Sequence, residues 1–320
     1  QRLPESVSPV QISRYAARQD QQEHLLGAIM EIALHIGANC TDEDLLLKSI
    51  LKNADLLAAH DISAPGPSTY RRLIRETIQN LNGAAPAPDT RQILLDAIVE
   101  DDDPNRLVMS NTNFICIPNR IFDGGAFYAQ AEFKLRAMLQ LFPQDELDIY
   151  LSLRDPVTFL PDAYRRSKAD SFPAFMQGFD PHNMRWSDLV RRIRSIAPEA
   201  TLTCWCNEDT PLIWAELVRD IAGLTPDMQI TGGFDLLASI MSKEGMSRFL
   251  HYMQAHPPAN DAQKRRIIAA FLDKYAITEE VEEVVDMPGM TPEDIEDMSA
   301  AYDEDVLRIA QMPDVTFIMP

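Results

Sequence analysis

The sequence has 320 residues, 46% of them hydrophobic, so it can bury a full core and is long enough for one large α/β domain and an appendage. Its formal net charge of -20 argues against nucleic acids and anionic membrane surfaces as partners, because like charges repel at long range. No apolar run reaches the roughly 18 residues of a bilayer helix, and no signal-peptide pattern is visible, which favours a cytoplasmic protein without a membrane span.

The first predicted elements are a strand, a tight loop and a helix. The apolar run from Ile32 to Ile36 predicts a buried strand that stops at Gly37. Thr41 is a good N-cap, and the acids at 42–44 would fill the first turn of a helix with apolar residues at helical spacing as far as Leu57. This arrangement is typical of an anion or nucleotide site, although acids in the loop oppose a phosphate.

The middle of the chain alternates short apolar runs with helical patterns. Further strands are predicted at Leu107–Met109, Leu147–Leu153 and Ala200–Cys206. Helices are predicted over 68–81 with Ser68 as the cap, and at Thr90–Val99, Ala126–Leu141, Trp186–Ile196 and from Glu208 to the stop at Gly223. Strands that alternate with long helices imply a parallel sheet with right-handed crossovers. We therefore expect an α/β fold, a parallel sheet flanked by helices.

The chain divides into three predicted regions. Residues 1–22 are polar and predict a flexible arm. Residues 23–230 hold the alternating pattern and form the α/β domain, and residues 231–320 are nearly all helical and form an acidic extension packed on the same domain. The extension includes a capped helix that begins at Thr291 and a last short strand at Val315–Ile318.

The extension carries most of the excess negative charge. Between Glu279 and Asp305 there are twelve Asp and Glu residues and no Lys or Arg. Such a run is typical of a solvated face, and it is also compatible with a docking surface for a basic protein.

Several side chains have two interpretations, one functional and one structural. Arg154, directly after a predicted strand and before Asp155-Pro156, is either a fixed anion clamp or half of an Arg154–Asp155 pair that braces the loop. His35, within the first strand, is either a hydrogen-bonded core residue or a base. Cys204 and Cys206 are either half of a metal site or two buried apolar residues, and no second pair has ligand spacing.

Basic and polar residues near the predicted sheet are also ambiguous. Arg71, Arg72 and Arg75 lie on the face of their helix opposite the apolar stripe, which is either solvated or an edge that faces an anion. Ser110 and Asn111 follow a strand, where they suit a site or a simple turn. Acids at 42–44 could hold Mg²⁺, but neighbouring helix positions diverge by about 100°, so we expect no metal site.

The order of these landmarks resembles that of bacterial sulfotransferases. His35-Ile36-Gly37-Ala38-Asn39-Cys40-Thr41 resembles that family's 5′-phosphosulfate loop, close to His-Ile-Gly-x-x-Lys-Thr. Arg154-Asp155-Pro156 resembles its 3′-phosphate motif, and Glu208-Asp209 a later Tyr-Glu-Asp segment. The resemblance covers about residues 29–223. It implies a P-loop NTPase-like fold of the sulfotransferase type for this part of the chain.

The resemblance also implies a site and a reaction. Gly37, Ala38, Asn39, Cys40, Thr41 and Arg154 would bind 3′-phosphoadenosine 5′-phosphosulfate as cofactor. The reaction would be sulfuryl transfer to a hydroxyl or amine of a small molecule or glycan, with no catalytic base that the sequence identifies.

The sequence departs from the family pattern at the positions that would carry charge. Cys40 stands in place of the loop lysine, acids at 42–44 replace Gly-Thr-Thr, and Asp162 replaces the partner serine. A pair of unit charges 4 Å apart is worth about 4 kcal/mol at an effective dielectric of about 20, so these acids oppose donor binding. The sequence thus leaves two main functions open, a sulfotransferase or a non-catalytic protein of this fold that acts as a protein-binding or scaffold module. A third alternative is a protein that uses Mg²⁺ at the acids 42–44 to transfer some other group.

Overall fold

The structure, a computed structural model, describes residues 29–99, 104–281, 285 and 287–320. The predicted arm at 1–22 lies outside the described residues, as do the acids at 282, 283 and 286. Six parallel strands form one sheet in the order β2-β3-β1-β4-β5-β6. The strands are β1 Glu31–Gly37, β2 Ile62–Ser63, β3 Arg106–Ser110, β4 Glu146–Leu153, β5 Thr201–Cys206 and β6 Thr316–Ile318. The predicted α/β class with a parallel sheet is confirmed.

Helices connect and cover the strands. In the amino-terminal half they are α1 Leu45–Leu51, α2 Ala54–Ala58, α3 Pro67–Leu81, α4 Thr90–Ile98 and α5 Ala131–Leu141. They continue with α6 Pro156–Ser167, α7 Phe172–Met176, α8 Trp186–Ile196 and α9 Thr210–Ala222. The last are α10 Asp235–Ile240, α11 Lys243–Ala255, α12 Asp261–Tyr275, α13 Thr278–Val281 and α14 Pro292–Ala310.

Both faces of the sheet are buried, as a parallel sheet requires, and this explains why the strands read as continuous apolar runs. One face packs against α3, α5, α6, α8 and α14, and the other against α1, α2 and α9. β1 lies in the centre between β3 and β4. The chain leaves β1 toward the face covered by α1 and α2, whereas it leaves β3 and β4 toward the face covered by α5 and α6. The strand order therefore reverses at the carboxyl end of β1.

Three predicted helix starts are wrong. Thr41 caps no helix: α1 begins at Leu45, after Asp44 in the left-handed region with φ 65°, and the helical pattern breaks again before α2. Gly66 rather than Ser68 precedes the first turn of α3, because Pro67 fits the first helical position. α5 begins at Ala131 rather than Ala126, since left-handed residues up to Tyr128 turn the chain first.

Residues 231–320 contribute to two separate cores. α10, α11 and α12 surround a small cluster that contains Leu237 and Phe249. α14 packs on the main core beside α6 and α8, and β6 pairs with β5. The capped helix and the last strand that the sequence predicts are both present, with Thr291 and Asp294 forming a reciprocal capping box. Within the ranges that the structure describes, no helix has the length and apolarity needed to cross a membrane.

Candidate functional site

The loop after β1 is fixed from both sides at the carboxyl edge of the sheet. The Ala38 N–H donates to the Ser152 carbonyl of β4 at 3.1 Å, and the Asn39 N–H donates to the Tyr128 hydroxyl at 3.1 Å. The Asn39 amide also donates to Asn113 Oδ1 at 2.8 Å. Ala38 and Asn39 are buried, so the loop is a packed element of the core edge.

Gly37 allows the chain to enter this loop. Its φ is +121°, a region that L side chains rarely adopt. A Cβ at this position would lie 3.1 Å from the Asn39 nitrogen and 3.2 Å from the Thr112 carbonyl oxygen. The glycine that the sequence places at the strand end is therefore required by both conformation and space.

Asp44, in the loop after β1, forms an ion pair with Arg71. Its two oxygens accept from the two terminal nitrogens of Arg71 at 2.6 and 2.9 Å. Arg71 also donates to the Ser110 carbonyl at the end of β3, at 2.8 and 3.0 Å. The hydrogen bond from Arg71 lowers the pKa of Asp44, so this carboxylate is charged at neutral pH. Arg71, predicted to face solvent or an anion, instead ties the loops after β1 and β3 together.

The second paired carboxylate is Asp162 of α6. Its oxygens accept from Arg154 at 3.0 Å, from Arg165 at 2.9 Å and from Arg166 at 3.1 Å. Arg166 also donates to Glu43 in the loop after β1. We call the set of Glu43, Arg154, Asp162, Arg165 and Arg166 the arginine–carboxylate network.

Arg154 is the centre of this network. It is only 6% exposed, and its guanidinium donates to the Cys40 carbonyl and to Thr158 Oγ1, the latter at 3.2 Å, besides Asp162. The predicted pair with Asp155 is wrong, because Asp155 accepts from the Val157 N–H and the Ser299 hydroxyl instead. Arg154 does join the loop that contains Gly37 to Thr41, so the structure brings the predicted loop and the predicted arginine together.

Burial and charge set the protonation of this region. Burial by itself would raise the pKa of Asp162, but the hydrogen bonds from Arg154 and Arg166 lower it overall. Burial raises the pKa of the Cys40 thiol to about 12, so it is protonated at neutral pH and is a poor nucleophile. The Thr41 hydroxyl donates to the Ala38 carbonyl at 2.9 Å, so it does not cap α1.

His35 belongs to the core beneath this edge. It is fully buried, and its Nδ1 lies 2.8 Å from Ser110 Oγ. Burial lowers the pKa of its imidazole, which is therefore neutral. Its contact with Ser110 agrees with the interpretation as a hydrogen-bonded core residue, and its lack of exposure opposes a role as a surface base.

A cleft of about 860 Å³ opens beside the loop and is bounded by the amino ends of α1 and α9, α10 and α13. We call it the acidic cleft, because among the described residues its walls carry Asp42, Glu43, Glu208 and Glu280 against one cation, Lys48. Burial raises the pKa of Glu208, whose oxygens accept from the Asp155 N–H at 2.8 Å and the Tyr302 hydroxyl at 3.0 Å. Glu208 thus joins three elements as well as facing the cleft.

Metal ligands do not converge here. Among the described residues no group of three or more His, Cys, Asp or Glu side chains is placed to hold a metal ion. Cys204 and Cys206 are buried free thiols in β5. The acids at 42–44 point to different partners, Asp44 to Arg71 and Glu43 to Arg166.

Sequence reasoning missed the residues that complete the site from a distance. Tyr128 fixes Asn39 across 89 positions, and Arg166 reaches Glu43 across 123. No local pattern signals such contacts, because each depends on how α6 and the segment before α5 fold over the edge of the sheet.

No family model matches the chain, and searches of curated proteins and of solved structures found no significant match.

Proposed function

We propose that this protein is a non-catalytic binding module of a sulfotransferase-like fold, in which the nucleotide pocket is replaced by internal ion pairs. The observation that carries the proposal is the position of Asp162. This carboxylate accepts from Arg154, the residue to which the resemblance assigns the 3′-phosphate, at 3.0 Å. A carboxylate and a phosphate cannot both occupy that position.

Electrostatics oppose the exchange of Asp162 for a nucleotide phosphate. A phosphate would have to displace a buried carboxylate that three arginines already hold. The displaced carboxylate would remain beside the phosphate, and like charges about 4 Å apart repel by about 4 kcal/mol at an effective dielectric of about 20. Asp44 and Glu43 of the loop after β1 already engage Arg71 and Arg166, so these two cations are not free to hold a phosphate.

The acidic cleft provides the surface for the proposed binding function. Within the described part of the chain, four carboxylates and one ammonium line it, and of the four Glu43 is also held by Arg166. The protein as a whole has a net charge of -20. Clefts lined by one sign of charge attract oppositely charged partners and raise their association rate. The partner class that this supports is a protein segment rich in Lys or Arg.

Isothermal titration with adenosine 3′,5′-bisphosphate tests the first half of the proposal. The loop that contains Arg154 should contribute no binding heat in the wild type up to about 1 mM ligand, which corresponds to less than about 4 kcal/mol of affinity at that loop. The double variant Cys40→Lys with Asp162→Ser should gain binding, since it restores a cation and removes the carboxylate. Tight binding by the wild type at the loop that contains Arg154 would overturn the proposal and favour sulfuryl transfer to a hydroxyl or amine instead.

A lysine-rich peptide with a fluorescent label tests the second half. Glu280→Lys at the rim of the acidic cleft should weaken binding by about fivefold or more, because it reverses one charge at the contact. Glu199→Lys makes the same change in net charge at an exposed site far from the cleft, and it should alter affinity less than about twofold. Equal effects of the two variants would contradict a specific cleft.

A further inference from the structure

A second cleft, of about 400 Å³, is lined in part by the loop after β3. We call it the basic cleft, because its walls carry Arg71 and Arg75 of α3, Arg120, and Lys134 of α5. Among the described residues that line it there is no Asp or Glu. Arg71 is held by Asp44, which lies outside the lining, so three cations remain in this cleft. In a chain with 49 acidic and 29 basic residues, this is the reverse of the overall charge balance.

The cations at the mouth of the cleft are weakly compensated. Arg75 lies 3.8 Å from Glu76, whose carboxylate is already held by Arg72 at 2.8 Å. Arg120 lies 3.9 Å from Asp123, which also accepts from Gln130 at 2.7 Å. These are long, exposed pairs, and such pairs contribute little to stability.

Lys134 is the least compensated of the four. Within the described residues its one specific contact is with the ring of Phe133, whose centroid lies 5.8 Å from Nζ. Burial lowers its pKa, and the neighbouring positive charges of Arg120 and Arg75 lower it further. Its ammonium therefore lies in a site that disfavours a charge unless an anion is present.

The remaining walls of the cleft suit an organic group. Asn111, Asn113, Gln79 and Gln130 offer amides that can donate and accept hydrogen bonds. Ile74 and Ile78 are buried side chains at its base. A volume of about 400 Å³ falls in the range of small-molecule sites, which combine an apolar lining with a few polar groups.

We propose that the basic cleft binds a small organic phosphate or sulfate monoester, with its anionic group near Arg75, Arg120 and Lys134 and its organic part against the isoleucines of α3. This site is separate from the acidic cleft and from the arginine–carboxylate network. It does not depend on the proposed function, because it requires neither Arg154 nor a cationic protein partner.

Phenyl phosphate and phenyl sulfate are suitable probes, with phenol as the neutral control and inorganic phosphate as the control without an organic part. The wild type should bind at least one ester more tightly than inorganic phosphate, and should not bind phenol. Affinity should fall at high salt, since screening weakens charge attraction at an exposed site. Failure of both esters to bind at millimolar concentration would overturn the proposal.

Lys134→Gln is the decisive variant. It should weaken ester binding by about tenfold or more, and it should leave the melting temperature of the unliganded protein equal or higher, because it removes repulsion among the cations. A merely structural lysine would lower the melting temperature when replaced. Unchanged ester affinity in this variant would overturn the site.

Lys264→Gln is the matched control. Lys264 is also partly buried, has its pKa lowered by burial and lies over an aromatic ring, that of Phe234 at 5.4 Å. Its cleft contains Glu216, Asp220 and Asp261 together with Arg219 and Arg265, so the cations there, unlike those of the basic cleft, are balanced by acids in the same cleft. Its replacement should change ester affinity by less than about twofold. An equal loss in both lysine variants would mean non-specific attraction and would contradict the proposal.

The lysine variant also separates the two sites. Binding of adenosine 3′,5′-bisphosphate that persists in Lys134→Gln belongs to the loop that contains Arg154 and overturns the proposed function. Binding that disappears in Lys134→Gln belongs to the basic cleft and supports the present inference.

Discussion

A single carboxylate decides what the predicted nucleotide loop can do. Asp162 is held by three arginines, and through Arg166 it is connected to Glu43. Its side chain is 12% exposed and that of Arg154 is 8% exposed, so the pair is largely removed from water. Breaking a buried ion pair by removing one partner is costly, because the other charge stays buried without compensation.

We expect Asp162→Asn to lower the free energy of unfolding by about 3 kcal/mol at neutral pH. Urea denaturation monitored by circular dichroism measures this change. Asp188→Asn is the control, because Asp188 pairs with Arg191 on an exposed part of α8, where a pair is worth less than about 1 kcal/mol. Equal effects of the two substitutions would show that burial of the arginine–carboxylate network adds nothing to the free energy of unfolding.

The same pair predicts a pH dependence. The pKa of Asp162 is lower in the folded chain than in the unfolded chain, where it is about 3.9. Its contribution is therefore complete above about pH 4 and is lost as the pH falls through the lower, folded-state value. The difference in unfolding free energy between wild type and Asp162→Asn should shrink at low pH. A difference that stays constant to pH 2 would contradict a charged Asp162.

At the scale of elements, α11 and α12 pack closely around a small core, whereas the helices beside the sheet cover larger ones. α11 and α12 lie together around a small cluster, and Gly245 of α11 is buried there. A Cβ on Gly245 would lie 2.3 Å from the Cβ of Tyr275 and 2.9 Å from Met241 Cγ. The glycine therefore sets how closely these helices approach.

Gly245→Ala should destabilise the protein by about 1–3 kcal/mol, although alanine favours a helix by about 1 kcal/mol over glycine. The reason is that the added methyl group overlaps Tyr275, whose Cβ cannot move without moving α12. Ser247→Ala is the control, because Ser247 is exposed on the same helix and gains propensity without a clash. Chemical denaturation of both variants tests this, and a stabilised Gly245→Ala would refute the contact.

The start of α14 depends on a reciprocal cap. Thr291 Oγ1 accepts from the Asp294 N–H at 3.2 Å, and Asp294 Oδ2 accepts from the Thr291 N–H at 2.8 Å. Thr291→Ala should reduce the free energy of unfolding by about 1 kcal/mol, since it leaves a helix N–H without its partner. Thr291→Ser keeps the oxygen and should restore most of the loss. Failure of serine to rescue stability would assign the effect to the methyl group instead.

At the scale of the whole molecule, negative charge opposes compactness. The chain carries a formal charge of -20, because its 49 acidic residues exceed its 29 basic residues by twenty, and no arrangement of ion pairs can remove that excess. Self-repulsion of this kind destabilises the folded state and is screened by salt. Ion pairs such as the buried network are screened much less, because they lie partly outside the solvent.

Salt should therefore stabilise this protein. Raising sodium chloride from about 0.01 M to about 0.5 M should increase the melting temperature by roughly 2–4 °C, equivalent to about 1 kcal/mol for a chain of this size. Differential scanning calorimetry measures the shift, and potassium chloride should give the same result if screening is the cause. A lower melting temperature in salt would mean that exposed ion pairs outweigh the repulsion.

Local patterns in the sequence determine most of the fold. The strand cores, the helix over Trp186–Ile196 and the caps at Gly223 and Thr291 follow from apolar spacing and from the backbone preferences of single residues. The parallel class follows from the alternation of strands and helices, because a parallel connection requires a crossover. These features depend on neighbours within a few positions.

Tertiary structure decided the chemistry of the candidate site. The sequence places Thr41 and three acids as a helix cap, but Arg71 and Arg166 arrive from α3 and α6 and hold Asp44 and Glu43 in a loop. The basic cleft likewise exists only because α3 and α5 meet beside the loop after β3. Ion pairs between distant elements leave no periodic trace in a chain, since charge acts through space whereas a sequence pattern records only separation along the backbone.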